Sequence, residues 1–367
     1  MANRREFLQV AAGTAGLLGL HAAGIVGAAR AAEPVAKAGR SLKILVLGGT
    51  GFIGPHEIEH ALARGHQITV FNRGRKAGLY GNRVEEIVGN RDTKIDAGLK
   101  PLEGDRTWDV VIDNSGYVPR HVRDAVELLG DRCGRYLYVS TVAVYDFAAA
   151  DHFDEDGPLA KLADPTVEEV TWETYGPLKA ACDRIVRDAL GAKATVVRPT
   201  YIIGPGDTTD RFTYWTDRIH RGGDIVGPAN ADVAVQFVDV RDLCPWMIRL
   251  AEKDQAGTFN AAGSPWTREG LLWGIRATTS TACRFHWPAA DLTAELEMPA
   301  PMLDWGVASN TFGNQASIDA GQNYRTLADS TAATLEWWRS QPSARRVAAR
   351  GWPTADQEKA ALARLRK

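Results

Sequence analysis

The sequence has little of what would build a site from cysteine, histidine or one sign of charge. Its four cysteines, Cys133, Cys182, Cys244 and Cys283, lie too far apart for a CxxC pair or a Cys/His cluster, so no redox dithiol or zinc knot is encoded and no disulfide is implied. The eight histidines fall into no ligand spacing with Asp, Glu or Cys, and no catalytic metal is expected. Charge is balanced, 43 basic against 45 acidic side chains for a net charge of -2, which gives no reason to expect a nucleic-acid partner.

What is present begins at the N-terminus. Arg4-Arg5-Glu6-Phe7-Leu8 precedes an Ala/Gly/Leu-rich run from Val10 to Ala29 that ends in Ala29-Arg30-Ala31. The run approaches bilayer-spanning length, but its glycines, His21 and small-residue exit fit a removed signal better than an anchor. Paired arginines ahead of a weak apolar core read as a twin-arginine export signal over residues 1–31, cleaved near Ala31, with no permanent membrane insertion. The expected destination is periplasmic or extracellular, reached after folding.

The remaining chain is long enough for a large buried core. Leu42 to Leu47 reads as a strand, Gly48-Gly49-Thr50-Gly51-Phe52-Ile53-Gly54 as a tight turn, His56 to Arg64 as a helix and Gln67 to Phe71 as the next strand. Glycines 48, 51 and 54 keep side chains away from a pyrophosphate seated at a helix N-terminus, so this turn, with Thr50, Phe52 and Ile53, is expected to bind a dinucleotide. An acid that accepts the ribose hydroxyls belongs about 20 residues beyond the glycines. Here stand Asn72-Arg73-Gly74-Arg75, and Arg73 and Arg75 suit a 2′-phosphate, which favours NADP over NAD. Val84 to Val88 leads to Asp92, a candidate for the adenine edge, and Val110 to Asp113 to Asn114, Ser115, Gly116 and Tyr117, at a strand end where open α/β sheets place ligands.

Arg135 to Ser140 forms the next strand and runs into Thr141 and Tyr145; later comes Tyr175-Gly176-Pro177-Leu178-Lys179 ahead of a helical pattern. Tyr175 and Lys179, four apart, share a helix face. A cationic Lys179 beside Tyr175 is expected to lower the phenol's pKa, and Thr141 to donate a hydrogen bond to a substrate oxygen. Such a trio performs proton transfer at a carbinol or carbonyl undergoing hydride chemistry.

Over roughly Lys43 to Gly263 the chain resembles the extended short-chain dehydrogenase/reductase family, the group of nucleotide-sugar epimerases and dehydratases. The resemblance implies an α/β fold, a doubly wound Rossmann-type parallel sheet with a smaller C-terminal substrate lobe. It implies Thr141, Tyr175 and Lys179 as catalytic residues, with Lys179 also on the nicotinamide ribose. Arg198-Pro199-Thr200-Tyr201-Ile202-Ile203-Gly204-Pro205-Gly206-Asp207 matches the segment that lines the nicotinamide and substrate, with Pro199 on the cofactor. Phe237-Val238-Asp239-Val240-Arg241-Asp242-Leu243 is similar to a later substrate-domain strand and helix start. The start motif with Phe71-Asn72-Arg73-Gly74 looks like an atypical branch that includes chloroplast RNA-binding members. The expected division is a dinucleotide-binding domain over 40–200 with its core reaching about 263, a substrate lobe over 201–345 and a helical tail over 346–367.

Two departures bear on substrate. The arginine that grips a nucleotide sugar's diphosphate appears as Val235, and an exported enzyme would rarely meet activated sugars, so an uncharged or modestly polar small molecule is expected. Arg211, Phe212, Tyr214 and Trp215 are candidate substrate contacts, with Tyr117 and Tyr145 closing the other side; Phe212 and Trp215 read equally well as core. Trp266, Trp273, Trp287, Trp305, Trp337 and Trp338 read as packing. The leading function is an NAD(P)-dependent oxidoreductase acting on a polyol, sugar or aromatic substrate. An epimerase with permanently bound cofactor and a non-catalytic dinucleotide-binding protein are the alternatives. A dehydratase has less support, because Val142 and Ala143 stand where that chemistry places acids. A homodimer is compatible with the sequence.

Overall fold

The computed structural model describes residues 35–303 and 310–366. The fold is that of the compact unit from Lys37 onward. The twin-arginine segment, its cleavage point and Trp305 lie outside the described residues.

The strands β1 (Lys43–Leu47), β2 (Gln67–Asn72), β3 (Glu85–Val88), β4 (Trp108–Asp113), β5 (Cys133–Val139), β6 (Ala194–Pro199) and β7 (Gly257–Ala261) form one sheet. Their spatial order is β7-β6-β5-β4-β1-β2-β3, and every pairing is parallel. The order reverses between β1 and β4, the place where a doubly wound sheet opens a crevice. A parallel sheet is buried on both faces, which is why β1 reads Lys-Ile-Leu-Val-Leu without alternation. Ile44 and Val46 point into one core, with Ile58 and Leu243; Leu45 and Leu47 point into the other, with Val122 and Val186.

The helices α1 (Ile53–Arg64), α2 (Pro119–Leu129), α3 (Trp172–Leu190), α4 (Arg211–Arg221) and α5 (Val240–Glu252) follow their strands in turn. α1 and α5 pack together over one face, α2 and α3 over the other. α1 begins at Ile53, three residues before the helical reading of the sequence. α3 starts from a capping box in which Thr171 accepts from the Thr174 N–H. Gly176 lets it seat against the Thr141 turn, since a Cβ there would meet the Ala143 carbonyl oxygen at 2.3 Å.

The smaller lobe has its own core of Ile203, Phe212, Trp215, Ile219, Leu271, Leu272 and Ile275. Short parallel pairs, Tyr201–Ile203 with Phe237–Asp239 and Gly223–Val226 with Cys283–His286, frame it. Two segments of the C-terminal half return to the sheet layer, α5 on its face and β7 at its edge. The C-terminal helix α6 (Ala355–Leu365) is docked on the smaller lobe: Ala361 is buried and Arg218 Nε lies 2.8 Å from Glu358 Oε1.

Beneath the lobe junction, Arg198 and Asp183 form an ion pair at 2.8 Å with both side chains at 0% exposure. Arg198 Nη1 also donates to the Tyr145 hydroxyl at 2.9 Å and to the Glu155 carbonyl at 2.7 Å. Removing one partner strands the other charge in a dry interior. Asp183→Ala is therefore expected to lower unfolding free energy by about 3–5 kcal/mol in a urea titration; a change below about 1 kcal/mol would show that the pair is not an element of stability.

Candidate functional site

The carboxyl ends of β1, β2, β4, β5 and β6 open into a cleft of about 990 Å³. At its centre lies the glycine turn. Gly48 and Gly49 have φ of 113° and 79°, the left-handed region that glycine adopts without strain. Gly54 is held by packing, for a Cβ there would lie 2.1 Å from the Gly49 carbonyl oxygen. Gly51 differs: a Cβ would meet no protein atom within 4 Å, and the residue lines the cleft. Its smallness thus serves the cleft. α1 starts here with no side-chain cap on its N-terminus and no acid in its first turn, leaving helix N–H groups and the positive dipole end directed at the cleft. These features fit a dinucleotide pyrophosphate.

At the adenosine end, Thr50, Phe52, Ile53, Asn72, Arg73, Arg75 and Asp92 all line the cleft. Asn72 is committed within the protein: its Nδ2 donates to Glu86 Oε1 at 2.8 Å and its Oδ1 accepts from the Gly74 N–H at 2.6 Å. Its contribution is to shape the turn that presents the arginines. Arg73 and Arg75 are exposed, and among the described residues neither has a carboxylate partner. Asp92 is also engaged, accepting from Arg120 Nη1 and the Lys94 N–H, each at 2.9 Å, and the Arg120 hydrogen bond pulls its pKa down to about 2. The sequence reading missed three neighbours. Lys76 lines the cleft and donates to the Thr50 carbonyl at 2.8 Å. Asn90 and Arg91 line it too, and Arg91 Nη2 reaches Asp113 Oδ2 at 2.8 Å while its Nε and Nη1 are buried without a partner.

Asn114 and Ser115 form the floor. The Ser115 hydroxyl donates to the Leu47 carbonyl at 3.0 Å and its N–H to Asp113 Oδ1 at 3.0 Å. Gly116 does not line the cleft; its carbonyl is an anchor, accepting from Lys179 Nζ at 2.8 Å and the Tyr138 hydroxyl at 2.7 Å. Lys179 Nζ also donates to the Val139 carbonyl at 2.8 Å. Its ammonium thus joins the ends of β4 and β5 to α3, and burial pushes its pKa down to about 8.

Thr141, Tyr175 and Lys179 converge on one wall, with Pro199 at the end of β6 beside them. Tyr117 flanks Tyr175, ring centroids 6.3 Å apart. The expectation that Lys179 lowers the Tyr175 pKa is not met in this arrangement. Burial, then the neighbouring Tyr117, push the phenol up to about 12, while Thr141 and Arg211 act weakly the other way. The Lys179 charge is spent on two carbonyls and a tyrosine face, Nζ lying 4.2 Å from the Tyr138 ring centroid.

The substrate-side candidates divide. Arg211 lines the cleft, its guanidinium 4.9 Å from the Tyr201 ring centroid and its Nε donating to Thr209 Oγ1 at 2.8 Å. Phe212, Tyr214 and Trp215 are at most 2% exposed and belong to the smaller lobe's core, in which α4 is buried on nearly every side. Tyr145 is likewise buried, its hydroxyl donating to Asn260 Oδ1 at 2.6 Å. These four do not face the cleft. Trp172, 68% exposed, and Val170 line it instead, and so does Asp207, whose Oδ2 is buried without a partner. Val235, standing where a diphosphate-gripping arginine is expected, pairs with Trp266 in the smaller lobe.

Among the described residues there is no cluster of three or more potential metal ligands and no helix long and apolar enough to cross a membrane. The sequence profile of the NAD dependent epimerase/dehydratase family matches residues 44–262. Among curated proteins, the chloroplast stem-loop binding protein of 41 kDa b from Arabidopsis thaliana is 26% identical over 249 residues, or 62% of this chain. The chain spans 61% of that relative's length. Among solved structures, the Bordetella bronchiseptica enzyme WbmG in complex with NAD is 17% identical with a TM-score of 0.62, covering 82% of this chain and 95% of that one. UDP-glucuronic acid 4-epimerase from Bacillus cereus in complex with NAD is 15% identical with a TM-score of 0.59, covering 80% and 96%. At these identities the two structures are similar in fold alone.

Proposed function

This chain belongs to the NAD dependent epimerase/dehydratase family, and from that membership we propose that it is an NAD(P)-dependent oxidoreductase acting on a carbinol or carbonyl of a small polyol, sugar or aromatic molecule. The observation that carries the reading is the convergence of Thr141, Tyr175 and Lys179 on the cleft that also holds the glycine turn. When bound, the nicotinamide supplies the hydride chemistry. The Thr141 hydroxyl holds the substrate oxygen, and Tyr175 moves the proton at that oxygen. Lys179 keeps one N–H beyond the two given to carbonyls, which would be available to a ribose hydroxyl of the bound cofactor.

NADP is the preferred cofactor in this reading. Arg73 and Arg75 offer two guanidinium groups, without a carboxylate partner among the described residues, at the end of β2, where an NAD site would present a carboxylate. Nucleotide sugars are disfavoured as substrates because Val235 offers no charge to a diphosphate. An epimerase with permanently bound cofactor is the second reading, favoured by the export signal, since no cofactor recycling is expected outside the cytoplasm.

Tyr175→Phe is expected to reduce kcat by roughly 100-fold or more while leaving NADPH affinity within about twofold; near-normal turnover of the same substrate would end the catalytic assignment. Replacing Arg73 and Arg75 together by alanine is expected to weaken NADPH binding by about tenfold or more and NADH binding little, and equal losses for both would assign the arginines to the surface. Export by the twin-arginine route predicts a mature N-terminus near Ala32 by mass spectrometry of the secreted or periplasmic protein, whereas Met1 intact in the membrane fraction would refute a cleaved signal.

A further inference from the structure

Glu57 is a charged residue on the buried stripe of α1, between Ile53 and Ala61, with 0% exposure. One carboxylate oxygen, Oε2, accepts from Asn114 Nδ2 at 2.7 Å. The other two ends of this pair, Glu57 Oε1 and Asn114 Oδ1, are both buried, and neither has a partner. With an ionised carboxylate, both are acceptors with no proton between them. Leaving a buried polar atom unpaired is costly, and two on the same hydrogen-bonded pair make an unstable arrangement.

The surroundings offer no relief to a negative charge. The groups that face Glu57 from the packed elements are the Asn114 amide at the end of β4, the Cys244 thiol of α5 and the Tyr80 phenol of the turn after β2. None is a cation. Burial, partly opposed by the Asn114 hydrogen bond, raises the Glu57 pKa to about 7. A single proton on Oε1 meets every demand at once, because it turns one orphan acceptor into a donor for the other.

We propose that Glu57 is a positioning residue that carries a proton in the dinucleotide-binding form: its Oε1–H donates to Asn114 Oδ1 and closes a cyclic acid–amide pair that fixes α1 against the strand-end turn at Asn114, Ser115 and Gly116. That turn lies against the glycine motif, the Ser115 Cβ being 3.3 Å from where a Cβ on Gly48 would stand, and its Gly116 carbonyl is the Lys179 anchor. An ionised Glu57 would set an acceptor against an acceptor beneath the turn and add a negative charge below the helix end that receives a pyrophosphate. Cofactor binding and protonation of Glu57 therefore favour one another, and by linkage Glu57 takes up a proton as the cofactor binds near neutral pH. The sign follows directly: affinity is full below about pH 7 and falls as pH rises through the pKa of the free protein.

The proposal rests on the dinucleotide reading of the cleft, and its test separates the two. Dissociation constants for NADPH are measured from roughly pH 6.5 to pH 8.5 for the wild type and for Glu57→Gln, whose amide offers the same donor and acceptor as the protonated acid. Titrations of the 2′-phosphate and of the histidines near the cleft are common to both proteins and cancel in the comparison. The wild-type constant is expected to rise about tenfold relative to the variant across this range, with the variant as tight as the wild type at the acidic end. Parallel profiles, or a variant much weaker at every pH, would overturn it. Should the variant fail to fold, infrared difference spectra of the wild type decide: a carboxylic-acid carbonyl band titrating near pH 7 supports the pair, and absence of a band lost in that range refutes it. If NADPH binds at no pH, the dinucleotide reading fails, and the infrared band alone judges Glu57.

Discussion

The ammonium of Lys179 is the tie on which the site's geometry depends. It is buried under the sheet's open end and bound to two backbone carbonyls, one following β4 and one closing β5. That one charge touches three elements far apart in sequence, which the Tyr138–Gly116 hydrogen bond and the close seat of Gly176 on the Thr141 turn also join: the floor of the cleft at Gly116, the strand that delivers Thr141, and the helix that delivers Tyr175. Burial disfavours the charge, as the lowered pKa records, and two carbonyl oxygens with an adjacent tyrosine face offset much of that cost. A wall built this way cannot drift without breaking the Lys179 contacts to backbone.

Around that tie the cleft is electrically graded. The β2 end carries Arg73 and Arg75, cations without a carboxylate partner among the described residues and suited to phosphate. Beneath the glycine turn Glu57 is buried against the Asn114 amide, the Cys244 thiol and the Tyr80 phenol. Toward the substrate end, Tyr117, Trp172 and Tyr201 supply ring faces, and Arg211 and Asp207 supply single polar handles. The two stretches thus offer different chemistry along one groove, and Tyr175 lines it together with both. A phenol pushed up to about 12 in this setting needs positive charge brought close before it can act as a base.

Much of this was legible in the sequence because it depends on local pattern. A continuous apolar strand, a glycine turn and a helix in succession specify the first β-α-β unit, and the Tyr175/Lys179 spacing places both on one helix face. The seven-stranded parallel sheet follows from repetition of that unit. What stayed hidden depends on which way a side chain turns in three dimensions. Phe212, Tyr214 and Trp215 come just after Arg211, yet α4 is buried on nearly every side by the lobe core, and only Arg211, at its first residue, lines the cleft. Asn72 and Asp92 have the right types at the right strand ends but are consumed by Glu86 and Arg120, partners that only folding brings near. Glu57 did leave a trace, an acid on the apolar stripe of α1, and a helical projection would have drawn attention to it.

The most direct test of the account is a titration of nucleotide-stripped protein with NADPH, followed by energy transfer from tryptophan to the reduced nicotinamide. The account predicts saturable binding of one NADPH per chain, with NADH binding at the same site more weakly. Absence of saturable binding by either nucleotide would contradict it, because the glycine turn, the uncapped start of α1 and the cationic β2 end would then have no ligand in common.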